Sequence, residues 1–169
     1  LIVGSREGAE WARDEIKKRF ECDDVGELTE YVGCKIERDF VKRRVKLTQP
    51  VLLQSYEDEF GVSANDAPST HAEPGTMLLK VDPSVKLDEK GQTKYRSGVG
   101  KLLHMMRWSR PDILNAVREL SKHMQVAGPA HMKALLRVMA YCVGTRKRGL
   151  VLQPIGVWDV FGDFEFVIK

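Results

Sequence analysis

Two adjacent acidic residues, Asp23 and Asp24, are the first candidates for chemistry in this sequence, because paired carboxylates can hold a magnesium ion. Their setting in the segment ECDDVGEL argues against such a site. The segment follows a predicted helix and precedes a turn, and it offers no third carboxylate placed to complete a metal site. We therefore interpret the pair as a solvated helix end, and we predict no catalytic residue in this chain.

Other reactive side chains are scattered. The three cysteines and four histidines include no close pair at the spacing of a disulfide framework or a metal site. An odd number of cysteines fits a reducing compartment. The segment GVGK at 98–101 lacks the length of a phosphate-binding loop and its Ser or Thr. We expect no cofactor and no metal bound by this chain itself.

The distribution of charge is the stronger signal. Residues 1–60 carry 11 Lys and Arg against 14 Asp and Glu, whereas residues 92–150 carry 12 against 2. A segment of this kind can bind a polyanion, because cationic side chains along a phosphate backbone release condensed counterions. Basic helices can equally be solvated faces with no specific partner.

One helix predicted in the basic segment has an unusual composition. Arg96, Gly100, His104 and Arg107 share a stripe beside its apolar stripe. Gly98 and Gly100 each cost a helix up to ~1 kcal/mol relative to Ala. Close approach of the helix backbone to a partner, such as the minor groove of a duplex, would explain the glycines. Close packing against a neighbouring helix would explain them equally well, and spacing alone leaves both readings open.

The N-terminal part of the chain predicts a helix followed by a hairpin. A helix begins after Ser5, with Ala9, Ala12, Ile16 and Phe20 on one face. The alternation in TEYVGCKIER predicts a strand, and RRVKLTQ predicts its partner, with a turn near residues 39–42. The opening LIVGS also reads as a strand, and we expect further sequence to precede it.

The remainder predicts mostly helices. One helix runs from Pro50 to Gly61, and an irregular stretch over residues 62–91 includes a possible short strand at Met77 to Val81. Three apolar stripes follow within the basic segment, with Pro111 and Pro129 at first-turn positions. GLVLQP and DFEFVIK predict terminal strands. The fold class is therefore α+β, and no apolar run is long enough to span a bilayer, so we expect no membrane partner.

The order of these motifs resembles the reverse transcriptase of copia-type retrotransposons, nearly end to end. The most specific part is YRSGVGKLLHMMRWSRPDI, followed by HMKALLRVMAYCVGTRKRGL. The resemblance implies a partial polymerase palm, made of a helix and a β-hairpin, then a three-helix thumb and C-terminal strands. The implied divisions are the palm at 1–60, a linker at 61–91, the thumb at 92–148, and the start of the connection toward a ribonuclease H domain at 149–169.

The resemblance also implies roles for particular residues. Tyr31, Val32, Gly33 and Cys34 match the primer grip, with Val32 and Gly33 at its tip. The thumb helix matches the helix that related polymerases lay into the minor groove of the template–primer duplex. The residues expected to contact nucleic acid on it are Lys94, Arg96, Gly100, Lys101, His104 and Arg107. The sequence departs from the family pattern at Gly98, His104 and Trp108.

The first hypothesis is thus a fragment that grips an RNA–DNA or DNA duplex, while the catalytic aspartates and their Mg²⁺ lie upstream in the full-length enzyme. Its implied partners are the duplex and the rest of the polyprotein, and its implied location is intracellular, in a cytoplasmic virus-like particle. The second hypothesis is a structural or protein-interaction module from a degenerate element. A free-standing DNA-binding domain of residues 92–150 is a third.

Overall fold

A computed structural model describes residues 2, 5–24, 26, 28–75 and 77–153, and within them the fold is α+β, as expected. The described residues form five α-helices, one small antiparallel sheet and short 3₁₀ turns. In chain order the main elements are α1 (Arg6–Arg19), β1 (Glu30–Tyr31), β2 (Cys34–Asp39), β3 (Arg44–Thr48), α2 (Pro50–Phe60), α3 (Glu89–Trp108), α4 (Leu114–Ser121), α5 (Pro129–Gly144) and β4 (Leu150–Leu152).

The sheet has the strand order β1-β2-β3-β4, and every neighbouring pair is antiparallel. The turn predicted between β2 and β3 is confirmed, and so is the strand predicted in GLVLQP. The prediction of a single strand through TEYVGCKIER is wrong, because the segment forms two strands. The chain reverses there at Val32 and Gly33, whose φ angles are 50° and 72°, so that Tyr31 pairs with Cys34. Alternation concealed the turn because Val rarely adopts a left-handed backbone conformation.

The three helices predicted in the basic segment are confirmed, and α2 joins them in one apolar core. Leu53, Tyr56 and Phe60 of α2 lie in the same buried cluster as Tyr95 and Leu135. The division predicted at residue 60 therefore does not separate α2 from the core of the later helices, although the functional division into palm and thumb stays a prediction. The other buried members of the cluster are Val99, Leu102, Met105, Ile113, Val117, Leu120, Ala127, Val138, Met139, Tyr141, Cys142 and Val143.

Helix α1 forms where its pattern predicts it, because Ser5 caps its N-terminus and Lys17, Lys18 and Arg19 complement its dipole at the other end. None of its described residues is buried. Its apolar face therefore lies open, in contrast to the faces of the later helices.

The stretch predicted to be irregular at 62–91 is confirmed up to residue 88, apart from 3₁₀ turns at Ala64–Asp66 and Pro83–Val85, but its end is wrong because α3 already begins at Glu89. Residues 77–82 lie in neither helix nor strand, so the short strand expected there is not formed. The strand predicted in DFEFVIK falls outside the described residues, as does most of LIVGS. None of the described helices combines the length and the apolar character needed to span a membrane.

Candidate nucleic-acid interface

The stripe predicted on α3 lies on the face of the helix that points away from the core. Tyr95, Val99 and Leu102 are fully buried on the opposite side. Since a helix turns once in about 3.6 residues, this burial leaves Arg96, Gly100, His104 and Arg107 together on the outer face. Arg96, Gly100 and Arg107 are exposed there, and His104 is half-buried. These four residues are called the outer face of α3 below.

The two glycines of α3 have different environments. A Cβ atom added at Gly98 would lie 2.6 Å from Leu135 Cδ2 and 3.0 Å from Phe60 Cε1, so this glycine allows close packing between helices. A Cβ atom added at Gly100 would meet nothing within 4 Å. The structure thus selects the packing explanation for Gly98, whereas at Gly100 the backbone of α3 is open to a partner.

Two of the predicted contacts lie away from the outer face. The Lys94 ammonium sits 5.3 Å from the centroid of the Phe60 ring. Lys101 donates to Ser55 Oγ at 3.1 Å and forms an ion pair with Glu59, both on α2. These two lysines therefore line the junction between α3 and α2, and they do not join the stripe that contains Arg96.

The β1–β2 turn reaches the C-terminal end of α3. The rings of Tyr31 and Trp108 meet edge to face, with centroids 6.2 Å apart and planes at 74°. Trp108 in turn lies 6.4 Å from the imidazole of His104. Tyr31 and Val32 remain exposed at 43% and 48%. The turn predicted as a primer grip and the outer face of α3 therefore form one continuous surface.

Cys34 does not share this exposure. Its side chain is 2% exposed beneath the turn, and burial raises the pKa of the thiol. Only Tyr31, Val32 and Gly33 of the predicted grip are thus available to a partner, while Cys34 supports the turn from below.

A buried hydrogen bond connects the end of β3 to the end of α3. The Ser109 hydroxyl, one residue beyond α3, donates to Gln49 Oε1 at 2.7 Å, and Gln49 directly follows β3. Both residues are 2% exposed. Because a buried hydrogen bond is costly to leave unmade, it restricts movement of the hairpin relative to Trp108.

The RPDI segment, which carries much of the resemblance, is structural. The Arg110 guanidinium is buried and donates to both carboxylate oxygens of Asp112 at 2.9 Å and to Thr145 Oγ1 at 2.9 Å. Tyr141 donates a further bond to Asp112. Burial acts to raise the pKa of Asp112, but the hydrogen bonds and charge of Arg110 outweigh it, so the pKa lies below its usual value. This network locks the start of the α4 region to the end of α5.

Three residues that the sequence analysis did not assign also belong to this surface. Thr93 accepts a bond of 3.4 Å from Arg96, and Ser97 is exposed one turn before Gly100. Trp108 joins the turn to the helix, although its sequence signal was only a departure from the family pattern. The signal that identifies it is its spacing of four residues from His104.

The Asp23–Asp24 pair does not fit a magnesium site. Asp24 accepts a hydrogen bond from the Gly26 backbone N–H at 2.9 Å and faces Arg13 and Lys17 at 3.6 and 3.7 Å. The bond from Gly26 holds the pKa of Asp24 below its usual value, with help from the two cations. Within the described residues no group of three potential ligands gathers there. The carboxylate caps a turn at the end of α1.

Comparison with known proteins relates the chain to retrotransposons. The retrovirus-related Pol polyprotein from transposon TNT 1-94 of Nicotiana tabacum is 29% identical over 149 residues, which cover 86% of this chain. The retrovirus-related Pol polyprotein from transposon RE1 of Arabidopsis thaliana is 29% identical over 140 residues, or 83% of the chain. Secreted RxLR effector protein 161 of Plasmopara viticola is 35% identical over 68 residues, which are 40% of this chain and 48% of the effector.

The matched region is only a small part of each polyprotein. The chain spans 11% of the TNT 1-94 polyprotein and 9% of the RE1 polyprotein. No family model matches it, and no solved structure is significantly similar. The chain therefore resembles a fragment of a retrotransposon Pol polyprotein.

Proposed function

We propose that this chain is the part of a retrotransposon reverse transcriptase that grips the template–primer duplex, comprising the end of the palm, the thumb and the start of the connection. The observation that carries the proposal is the continuous surface formed by the outer face of α3 and the β1–β2 turn. Tyr31 and Trp108 join the two parts at a centroid distance of 6.2 Å.

The composition of the outer face suits a nucleic-acid groove. Gly100 exposes helix backbone, while Arg96 and Arg107 stand on either side of it, about 16 Å apart along an axis that rises about 1.5 Å per residue. In the proposal, the two guanidinium groups contact phosphates of the duplex, and such contacts fix the position of a protein along the groove. His104 adds a hydrogen-bonding side chain between them.

The β1–β2 turn suits a different task. Val32 and Gly33 form a narrow tip with positive φ angles, and Tyr31 presents an exposed aromatic edge beside it. In the proposal this tip positions the primer end, while α3 holds the duplex behind it. Such positioning aids a reaction by holding the reacting groups in the productive geometry. The catalytic carboxylates and the Mg²⁺ they hold belong to another part of the polyprotein.

Binding to a labelled RNA–DNA primer–template duplex across a salt series tests the proposal. The variant Arg96→Ala/Arg107→Ala removes two charges from the outer face. The matched control Arg118→Ala/Lys133→Ala removes two exposed charges from α4 and α5. If each arginine contacts one phosphate, the first variant should bind less tightly and lower the salt slope by about 2, because each phosphate contact contributes about 0.9. Equal loss in both variants would contradict a specific interface on α3.

A protein-interaction module is the second candidate, and α1 favours it. Trp11 and Phe20 of this region are 69% and 66% exposed, and exposed apolar surface of this kind often marks a protein partner. Negligible duplex binding by a folded sample at low salt would favour this candidate over the first.

A further inference from the structure

A second basic surface lies at the closed end of the β2–β3 hairpin, far along the strands from Tyr31. Residues 35–46 carry six Lys and Arg against two acids. Between the strands, Phe40 is 72% exposed and Val41 is 94% exposed. Within the described residues no other aromatic side chain exceeds the exposure of Phe40. Residues 38–44 are called the hairpin tip below.

The hairpin tip is an ordered turn. Asp39 and Arg44 form the last paired position of β2 and β3. The Asp39 carboxylate accepts a hydrogen bond of 3.0 Å from the Lys42 backbone N–H, and Arg43 takes a left-handed φ of 48° to close the loop. The backbone therefore presents Phe40 and Val41 to solvent in a defined geometry, so a partner need not pay the full cost of ordering them.

The cations of the hairpin tip are free to bind an anion. Of the two acids in the hairpin, Glu37 pairs with Lys35 at 3.1 Å, and Asp39 serves the turn backbone. No salt bridge within the described part of the chain involves Arg38, Lys42 or Arg43. The same holds for Arg44, so the tip combines four positive side chains that form no salt bridge within the described residues with one exposed aromatic ring.

We propose that the hairpin tip binds single-stranded nucleic acid, with Phe40 stacking on an unpaired base and Arg38, Lys42 and Arg43 contacting its phosphates. Exposed aromatic side chains beside cations are the usual means of binding single strands without sequence preference. A duplex is a poorer ligand, because its bases are already stacked on one another. This site shares no residue with the outer face of α3, so it stands or fails independently of the proposed function.

Fluorescence anisotropy with a labelled oligothymidine of about 20 nucleotides tests the site in the whole chain. Phe40→Ser should weaken binding by about 5-fold or more with little change in salt slope, because it removes stacking and leaves the charges. Lys42→Gln/Arg43→Gln should lower the salt slope by about 1.4, since each phosphate contact on a single strand contributes about 0.7. Both variants alter exposed side chains, and circular dichroism verifies that they fold.

The control Lys86→Gln/Lys147→Gln removes two exposed charges elsewhere and should bind like the unmodified chain. The proposal is overturned if the unmodified chain does not bind the oligonucleotide, or if the tip variants match this control. It is also overturned if the tip variants retain oligonucleotide binding and instead lose binding to vesicles of phosphatidylserine and phosphatidylcholine, since the tip would then be a membrane contact. When Phe40→Ser is added to the variant Arg96→Ala/Arg107→Ala, it should weaken oligonucleotide binding by the same factor as in the unmodified chain.

Discussion

The Tyr31 ring meets the Trp108 ring edge to face at 6.2 Å, and this contact joins a hairpin turn to the end of a helix 77 positions later in the sequence. Edge-to-face pairs contribute about 0.5–1.5 kcal/mol beyond the area they bury. The contact therefore has enough energy to bias the position of the turn, even though Tyr31 is 43% exposed.

A double-mutant cycle of Tyr31→Ala and Trp108→Ala should give a coupling energy of about 0.5–1.5 kcal/mol in urea unfolding. The same cycle with Val51→Ala in place of Trp108→Ala serves as the control and should be additive, because Val51 is exposed on α2. Additivity of the Tyr31 and Trp108 substitutions would show that the turn and the helix are energetically independent.

The two glycines of α3 should respond oppositely to alanine. Gly100→Ala should raise the free energy of unfolding by up to about 1 kcal/mol, since the new methyl meets open space and the helix propensity improves. At Gly98 the same gain is opposed by overpacking against Leu135 and Phe60, which typically costs about 1–3 kcal/mol. Denaturant unfolding of both variants measures the difference. Equal stabilisation at the two positions would contradict the packing assigned to Gly98.

This contrast shows what the sequence was able to predict. The spacing of apolar residues and the positions of Pro111 and Pro129 predicted the helices of the basic segment. Both signals are read within a short window of sequence and need no knowledge of the neighbouring elements. The roles of Gly98 and Gly100 were not separable from spacing, because the distinction depends on which neighbouring helix approaches α3. Residues 38 places apart, such as Phe60 and Gly98, have to be placed by the fold.

The turn at Val32 and the burial of Arg110 were similarly hidden. Val in a left-handed conformation contradicts its local preference, so alternation predicted a strand, and only the resemblance placed a turn there. Arg is usually exposed, and its burial depends on Asp112, Tyr141 and Thr145 arriving together from two elements. Such tertiary conditions leave no local signal in the sequence.

Loss of the carboxylate of Asp112 should destabilise the helical core. Asp112→Asn leaves the buried Arg110 without its charged partner, and hydrogen bonds to charged groups contribute about 1.5–3 kcal/mol. The midpoint temperature of thermal unfolding should therefore be lower in this variant than in the unmodified chain. Glu119→Gln is the matched control, because its ion pair with Lys122 lies on the surface and should contribute less than about 1 kcal/mol. Similar effects of the two substitutions would argue against a structural role for the RPDI segment.

Stability should fall as the solution is acidified below the ordinary pKa of histidine. His131 is buried, its ring centroid lies 4.1 Å from that of His123, and its Nδ1 accepts a bond from the Gly128 N–H. Burial, and then the neighbouring His123, lower the pKa of His131 in the folded state. The unfolded chain therefore binds a proton more readily, so the stabilising contribution is complete above a pH of about 6.5 and is lost as the pH falls through and below that value.

Urea unfolding at several pH values between about 7.5 and 5 measures this dependence. His131→Gln removes the titrating group and should flatten the profile, whatever it does to stability at neutral pH. An unchanged pH dependence in that variant would assign the effect to other groups.

The proposed function places a duplex against the outer face of α3, and the variant Gly100→Leu tests that placement. A Cβ atom at this position meets nothing within 4 Å, and leucine favours helices, so we expect the variant to keep its fold, with unchanged circular dichroism and equal or higher stability. We expect this folded variant to bind the RNA–DNA primer–template duplex at least about 10-fold more weakly than the unmodified chain, because the new side chain keeps the helix backbone out of the groove. Undiminished duplex affinity in a folded Gly100→Leu variant would contradict it.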